Sequence, residues 1–207
     1  MTWIKICGIT NEKDALQAAS LEIDALGFIF ALSPRRVDPS TAQEIVQYLP
    51  PSVLRVGVFV DQDYSEVERI LKHCGLTALQ FHGKELPEYC RKFSLPVIKA
   101  IPIKDLESLR EIDLYSNVSI LLDTHHPAKA GGTGKTFPWE TALKAKEKKN
   151  FILSGGLTPD NVEEAIRKVR PFGVDVGSGV ESMPGKKDFF KMVEFVKEVK
   201  KADEETR

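Results

Sequence analysis

A short β-branched run, Trp3-Ile4-Lys5-Ile6, stops at Cys7 with Gly8 directly after it, and another run, Ser119-Ile120-Leu121-Leu122, stops at Asp123. A side chain that ends a strand is presented at the C-terminal edge of a sheet, where open α/β sheets and barrels carry out their chemistry. A thiol and a carboxyl so placed are candidate working groups. Core packing is the competing reading for Cys7, because free cysteine is among the most buried residue types. Lys5, two residues down its strand, is expected to have no part. Other runs end at Ser33-Pro34-Arg35-Arg36, at Asp61 and at His82. An arginine fork matches a planar carboxylate, so Arg35 or Arg36 suits an acid group, with an ordinary solvated pair as the alternative. His82, followed by Gly83, either donates to a ligand or braces the fold.

Two glycine stretches add an anion site to this set: Ser154-Gly155-Gly156-Leu157-Thr158 and Gly177-Ser178-Gly179-Val180-Glu181. Backbone N–H groups in such paired loops converge on a phosphate, and a helix start adds its dipole. Tight turns are the plain alternative. Gly134-Lys135-Thr136 imitates a nucleotide-binding P-loop, but that pattern needs glycine at position 129, where Lys129 stands. Gly131, Gly132 and Gly134 instead have the hinge freedom of a closing lid, with a plain connector as the other reading. His73, His125 and His126 show no ligand spacing, and no metal site is expected.

The elements that would position these groups alternate with few interruptions. Strands are expected at Ala25–Phe30, Leu54–Val60, Thr77–His82, Pro96–Ala100, Ser119–Asp123, Phe151–Ser154 and Phe172–Val176, in addition to the opening run. Helices are expected at Asp14–Ser20, from Asp38-Pro39, from a capping box Asp63-x-x-Glu66 to about His73, at Leu86–Lys92, through Leu109, at Trp139–Lys148, from Thr158-Pro159, and at Asp188–Lys200. Ala202–Arg207 is expected to fray. The strands are nearly continuous apolar runs, as parallel strands covered by helices are. Eight such units without a linker predict a single (β/α)8 TIM barrel of eight parallel strands over residues 1–207, with a doubly wound open sheet as the alternative.

The chain has 207 residues, with 29 Lys and Arg against 30 Asp and Glu and a net charge of −1, which argues against a nucleic-acid or membrane surface as partner. Three cysteines, Cys7, Cys74 and Cys90, are too few for a disulfide framework and are expected as reduced thiols. With no leader and no long apolar run, a cytoplasmic location is expected.

Lys5-Ile6-Cys7-Gly8-Ile9-Thr10, Leu79-Gln80-Phe81-His82-Gly83, Leu121-Leu122-Asp123-Thr124, Gly131-Gly132-Thr133-Gly134-Lys135-Thr136-Phe137, Leu153-Ser154-Gly155-Gly156-Leu157 and Val174-Asp175-Val176-Gly177-Ser178-Gly179-Val180-Glu181 together resemble phosphoribosylanthranilate isomerases of tryptophan biosynthesis. The resemblance runs from the first strand to the last helix. It implies a (β/α)8 barrel and a cofactor-free Amadori rearrangement of N-(5-phosphoribosyl)anthranilate, with Cys7 as general base and Asp123 as general acid. It selects Arg35 over Arg36 for the carboxylate and places Asp175 near the substrate's amine, His82 beside the substrate, and Gly155, Gly156, Gly177, Ser178 and Gly179 around the phosphate. Gly177-Ser178-Gly179 departs from the family's usual Ser-Ser-Gly, so one hydroxyl donor is missing.

The partner implied is a small molecule, handled by a monomer or a homodimer. Two rival readings are the related aldose–ketose isomerase of histidine biosynthesis, which has an aspartate where Cys7 stands, and a non-catalytic phosphosugar-binding barrel.

Overall fold

A computed structural model describes residues 1–124 and 138–205. The expected lid over 131–137 and the histidines at 125 and 126 lie outside the described residues. Eight parallel strands, β1 (Trp3–Cys7), β2 (Ala25–Ile29), β3 (Leu54–Phe59), β4 (Ala78–Phe81), β5 (Val97–Ile103), β6 (Ser119–Thr124), β7 (Phe151–Leu153) and β8 (Gly173–Val176), follow one another in chain order around a closed barrel. Closure is made by β1 pairing parallel to β8, with Lys5 opposite Asp175. The open sheet is therefore excluded.

Between the strands lie α1 (Glu12–Ala19), α2 (Pro39–Val46), α3 (Tyr64–Cys74), the single turn α4 (Pro87–Cys90), a 3₁₀ segment at Glu107–Leu114, α5 (Trp139–Lys146) and α6 (Pro159–Val169), and α7 (Phe189–Glu205) ends the chain. Local signals start several of them. Asn11 caps α1 by accepting from the Asp14 N–H at 2.9 Å, and Pro39 and Pro159 each begin a helix where a missing N–H costs nothing. The capping box expected at Asp63 is not made, although Asp63 is the N-cap of α3. Burial of Val67, Ile70 and Cys74 on one side of α3 stabilises it without that bond.

Alternation along each strand divides the apolar side chains between two cores. Ile4 and Ile6 face outward into the layer between barrel and helices. Ala25, Val56, Ala78, Ile98, Ala100, Leu121 and Ile152 fill the barrel's interior, with Trp3 packed below them. Among the described residues no helix is long and apolar enough to cross a membrane.

Two further features depart from the sequence expectation. The C-terminal segment does not fray at Ala202: α7 continues to Glu205, Ala202 is buried, and Asp203 accepts from the Thr2 N–H and hydroxyl, both at 2.7 Å. A small hairpin, β9 (Glu181–Met183) and β10 (Lys186–Lys187), follows β8 through a 3₁₀ turn at Ser178–Val180. Neither strand has the length or apolar pattern that a sequence signal needs.

Candidate active site

The C-terminal ends of the strands surround a cavity of about 650 Å³, bordered by Cys7, Arg35, His82, Asp123, the loop 154–157 and the Gly177–Ser178 turn. Cys7 is there because it is the last residue of β1 and faces inward. Its neighbour on β2 is Gly27, where a Cβ would stand 2.6 Å from the Cys7 Sγ. The missing side chain on β2 is what gives the thiol its space. Gly8, at φ +83°, turns the chain away immediately afterwards.

Period-two alternation puts Lys5 on the same inward face as Cys7. Lys5, expected to have no part, is fully buried on that face, and its Nζ donates to Asp175 Oδ1 at 2.7 Å. Burial disfavours the Lys5 ammonium, but the facing Asp175 carboxylate and the Cys7 sulfur outweigh it and hold its pKa above the ordinary lysine value. For Cys7, burial pushes the thiol up; Lys5 pulls it down, Asp175 pushes it up, Lys187 pulls it down, and the net displacement is upward.

Across the cavity, Asp123 at the end of β6 is almost completely buried and doubly held. Its Oδ2 lies 3.0 Å from His82 Nε2, and its Oδ1 accepts the Thr124 N–H at 2.9 Å. His82 is oriented in turn by Gln80, whose Nε2 is 3.0 Å from His82 Nδ1. An amide N–H on Nδ1 leaves the ring proton on Nε2, so the chain of donors runs Gln80 to His82 to Asp123. Gln80 Oε1 is buried beside the cavity with no hydrogen-bond partner among the described residues.

The glycine loops are shaped by close packing. Gly155 has φ +83°, and a Cβ there would meet the Thr124 N–H at 2.5 Å and Asp123 Oδ1 at 2.8 Å. Asn161 on α6 accepts from the Thr158 N–H at 2.8 Å and donates to the Gly156 carbonyl at 3.0 Å, tying the 155–158 loop to the helix start. Gly179 does not border the cavity, and a Cβ on it would drive into the Leu157 carbonyl.

The hairpin backs the site behind Cys7 and Gly177. Lys187 Nζ, with no exposure, donates to the Cys7 carbonyl at 2.6 Å, the Gly177 carbonyl at 2.9 Å and Glu181 Oε1 at 3.0 Å. Glu181 receives the Arg35 fork through Nε at 2.8 Å and Nη2 at 2.7 Å. Burial pushes Glu181 up, yet Arg35 and Lys187 outweigh it and hold its carboxyl below the usual glutamate range. Lys187 is pushed down by burial, which Glu181 only partly offsets.

These features fit known proteins along the whole chain. Residues 4–198 match the family model described as N-(5'-phosphoribosyl)anthranilate (PRA) isomerase. The chain belongs to the phosphoribosylanthranilate isomerase family. Its N-(5'-phosphoribosyl)anthranilate isomerase relative from Desulforudis audaxviator is 49% identical over 205 residues, covering 98% of this chain and all of that one. The crystal structure of the phosphoribosyl anthranilate isomerase from Thermotoga maritima superposes with a TM-score of 0.92 at 43% identity, covering 97% of this chain and all of that one. A third relative, 40% identical with a TM-score of 0.88 and the same coverage, was solved as a complex with reduced 1-(o-carboxyphenylamino)-1-deoxyribulose 5-phosphate.

Of the residues that the family resemblance singles out, Cys7, Arg35, His82, Asp123, Gly155, Gly156, Asp175, Gly177 and Ser178 border one cavity. Arg35 borders it while Arg36 is exposed outside, although the Arg35 fork is already engaged by Glu181. Asp61 is drawn elsewhere: its N–H donates to Glu85 Oε1 at 2.8 Å and its Oδ1 accepts the Lys84 N–H at 2.6 Å, bracing the loop after β4. Sequence reasoning missed Lys5, Gln80, Glu181 and Lys187. Lys5 and Gln80 stand two residues before Cys7 and His82, so strand periodicity contained the signal. The Lys187 contact with Cys7 spans 180 positions, and no local pattern announces it.

Proposed function

We propose that this isomerase-family protein catalyses the cofactor-free Amadori rearrangement of N-(5-phosphoribosyl)anthranilate to 1-(2-carboxyphenylamino)-1-deoxyribulose 5-phosphate, a step of tryptophan biosynthesis. The observation that carries the reading is a thiol and a carboxylic acid on opposite walls of one cavity, bordered by two glycine loops and an arginine. In this reading the backbone N–H groups of the 155–156 and 177–178 turns hold the phosphate, without Gly179. Arg35 takes the anthranilate carboxylate, sharing its guanidinium with Glu181. His82 and Asp175 contact the sugar and the amine.

Asp123 gives its proton to the ring oxygen, the ring C–O bond breaks, and the nitrogen lone pair forms the protonated Schiff base. The Cys7 thiolate then removes the C2 proton, and the C–H electrons become the double bond of an enolamine as the iminium is neutralised. Tautomerisation delivers a proton to C1 as the C2 hydroxyl gives up its own, leaving a ketone at C2. General acid or base groups of this kind each contribute about 10²–10⁴-fold.

The same reading treats residues 1–207 as one working domain, monomeric or homodimeric, in the cytoplasm. Following the fluorescence of phosphoribosylanthranilate made in situ tests it. The parent protein should consume the substrate, and Cys7→Ser and Asp123→Asn should each lose about 10²-fold or more in kcat while still binding product. An inert parent that binds product would overturn catalysis and leave a phosphosugar-binding barrel.

A further inference from the structure

Lys5 is a cation set among the apolar side chains inside the barrel, where ion burial is costly unless the charge is paired. One partner is Asp175, directly opposite in the β1–β8 register and 2.7 Å away. Asp175 is held by a second bond, from the Ser154 hydroxyl at 3.2 Å, so the anion under the ammonium is fixed in place. Cys7 follows one pleat nearer the cavity on the same inward face of the same strand. A lysine in this position has little freedom to turn away, because it is fully enclosed.

We propose that Lys5 is the positioning residue for Cys7: its ammonium, seated on Asp175, is the fixed counter-charge that orients and stabilises the Cys7 thiolate at the floor of the cavity. The proposal rests on the reading of Cys7 as the base and adds how that base becomes ionised inside a buried site. The charged groups facing Cys7 divide by element. Lys5 lies on its own strand, Asp175 on β8, and Lys187 on β10 touches the Cys7 carbonyl. His82, next to β4, and Asp123 on β6 border the far side of the cavity, while Arg35 beyond β2 is neutralised by Glu181. Burial and Asp175 both oppose the thiolate, and Lys5 is the foremost group that favours it. Removing Lys5 leaves the opposing influences intact.

The test measures Cys7 without relying on turnover. Iodoacetamide alkylation of the three cysteines is followed against pH by peptide mass spectrometry in the parent, Lys5→Met and Lys5→Arg. In Lys5→Met the Cys7 midpoint should rise by about one pH unit or more, the scale of losing a close opposite charge, while Cys74 and Cys90 stay unchanged. The activity profile of Lys5→Met should move with it, losing about tenfold at pH 7 and converging on the parent at high pH. Lys5→Arg should restore the lower midpoint.

An unmoved Cys7 midpoint, or a loss of activity equal at every pH, would overturn the proposal. Should Lys5→Met not fold, ¹⁵N resonances of the Lys5 ammonium in the parent decide instead. They should record a step at the Cys7 midpoint that disappears in Cys7→Ser, and a flat response would refute the coupling. If Cys7→Ser keeps full activity while the alkylation results hold, the base assignment fails and the Lys5–Cys7 coupling stands.

Discussion

Replacing Lys187 with methionine isolates the contribution of the hairpin to the site. The ammonium is fully enclosed and serves three acceptors, the Cys7 and Gly177 carbonyls and Glu181 Oε1, at 2.6–3.0 Å. Methionine nearly matches its length and fills the space, so the loss is electrostatic. Two carbonyls and one carboxylate oxygen are left buried without this donor, and breaking one partner of a buried ion pair costs about 3–5 kcal/mol. Arg35 still holds Glu181 through two bonds, which places the expected loss toward the lower end. At about 2–4 °C per kcal/mol for a chain of this length, 3 kcal/mol lowers the melting temperature by roughly 6–12 °C.

Burial already disfavours the Lys187 ammonium more than Glu181 favours it, so much of this penalty comes from the buried carbonyls and the carboxylate left with one partner fewer rather than from lost attraction. Lys187→Met with Glu181→Gln should therefore recover part of the loss. Thermal unfolding followed by circular dichroism, with product affinity measured on the same samples, is the assay. A decrease below about 2 °C, well under the ~6 °C floor derived from a buried pair, would refute the view that this lysine clamps β1 to β8. So would a double variant less stable than the single one.

Acid should weaken the same network. Glu181 has a folded-state pKa below its unfolded value, near 4.3 for a glutamate, so its contribution is present above that pH and disappears as pH falls through the lower folded value. Glu181→Gln should flatten the acid limb of a melting-temperature profile; an unchanged slope would count against the pairing. Gly155→Ala should cost about 1–3 kcal/mol and reduce kcat, because a Cβ at φ +83° presses on Thr124 and the Asp123 carboxylate; urea unfolding and single-turnover kinetics read the two effects. Asp203→Ala removes two bonds to Thr2 and should lower stability by about 1–3 kcal/mol with kcat unchanged, which tests whether α7 anchors the start of the chain without influence on the cavity.

The order of strands and helices, the parallel apolar runs and the chemistry at strand ends were legible in the sequence because each depends on neighbours within a few residues. Strand periodicity fixes which side chains share a face, so Cys7, His82 and Asp123 could be placed at one end of a barrel from the chain alone. That periodicity also pointed Lys5 at Cys7 and Gln80 at His82, but the weight of those contacts depends on burial, and burial is a property of the closed barrel. Closure joins β1 to β8 and sets Lys5 opposite Asp175 across 170 positions. It likewise brings Lys187 under Cys7 and Glu181 against Arg35. Attraction between charges depends on distance and on the surrounding dielectric, and both exist only once the chain has folded. Residue types and their order along the strands therefore determined which groups could react, and tertiary packing decided which of them are charged, held and aimed.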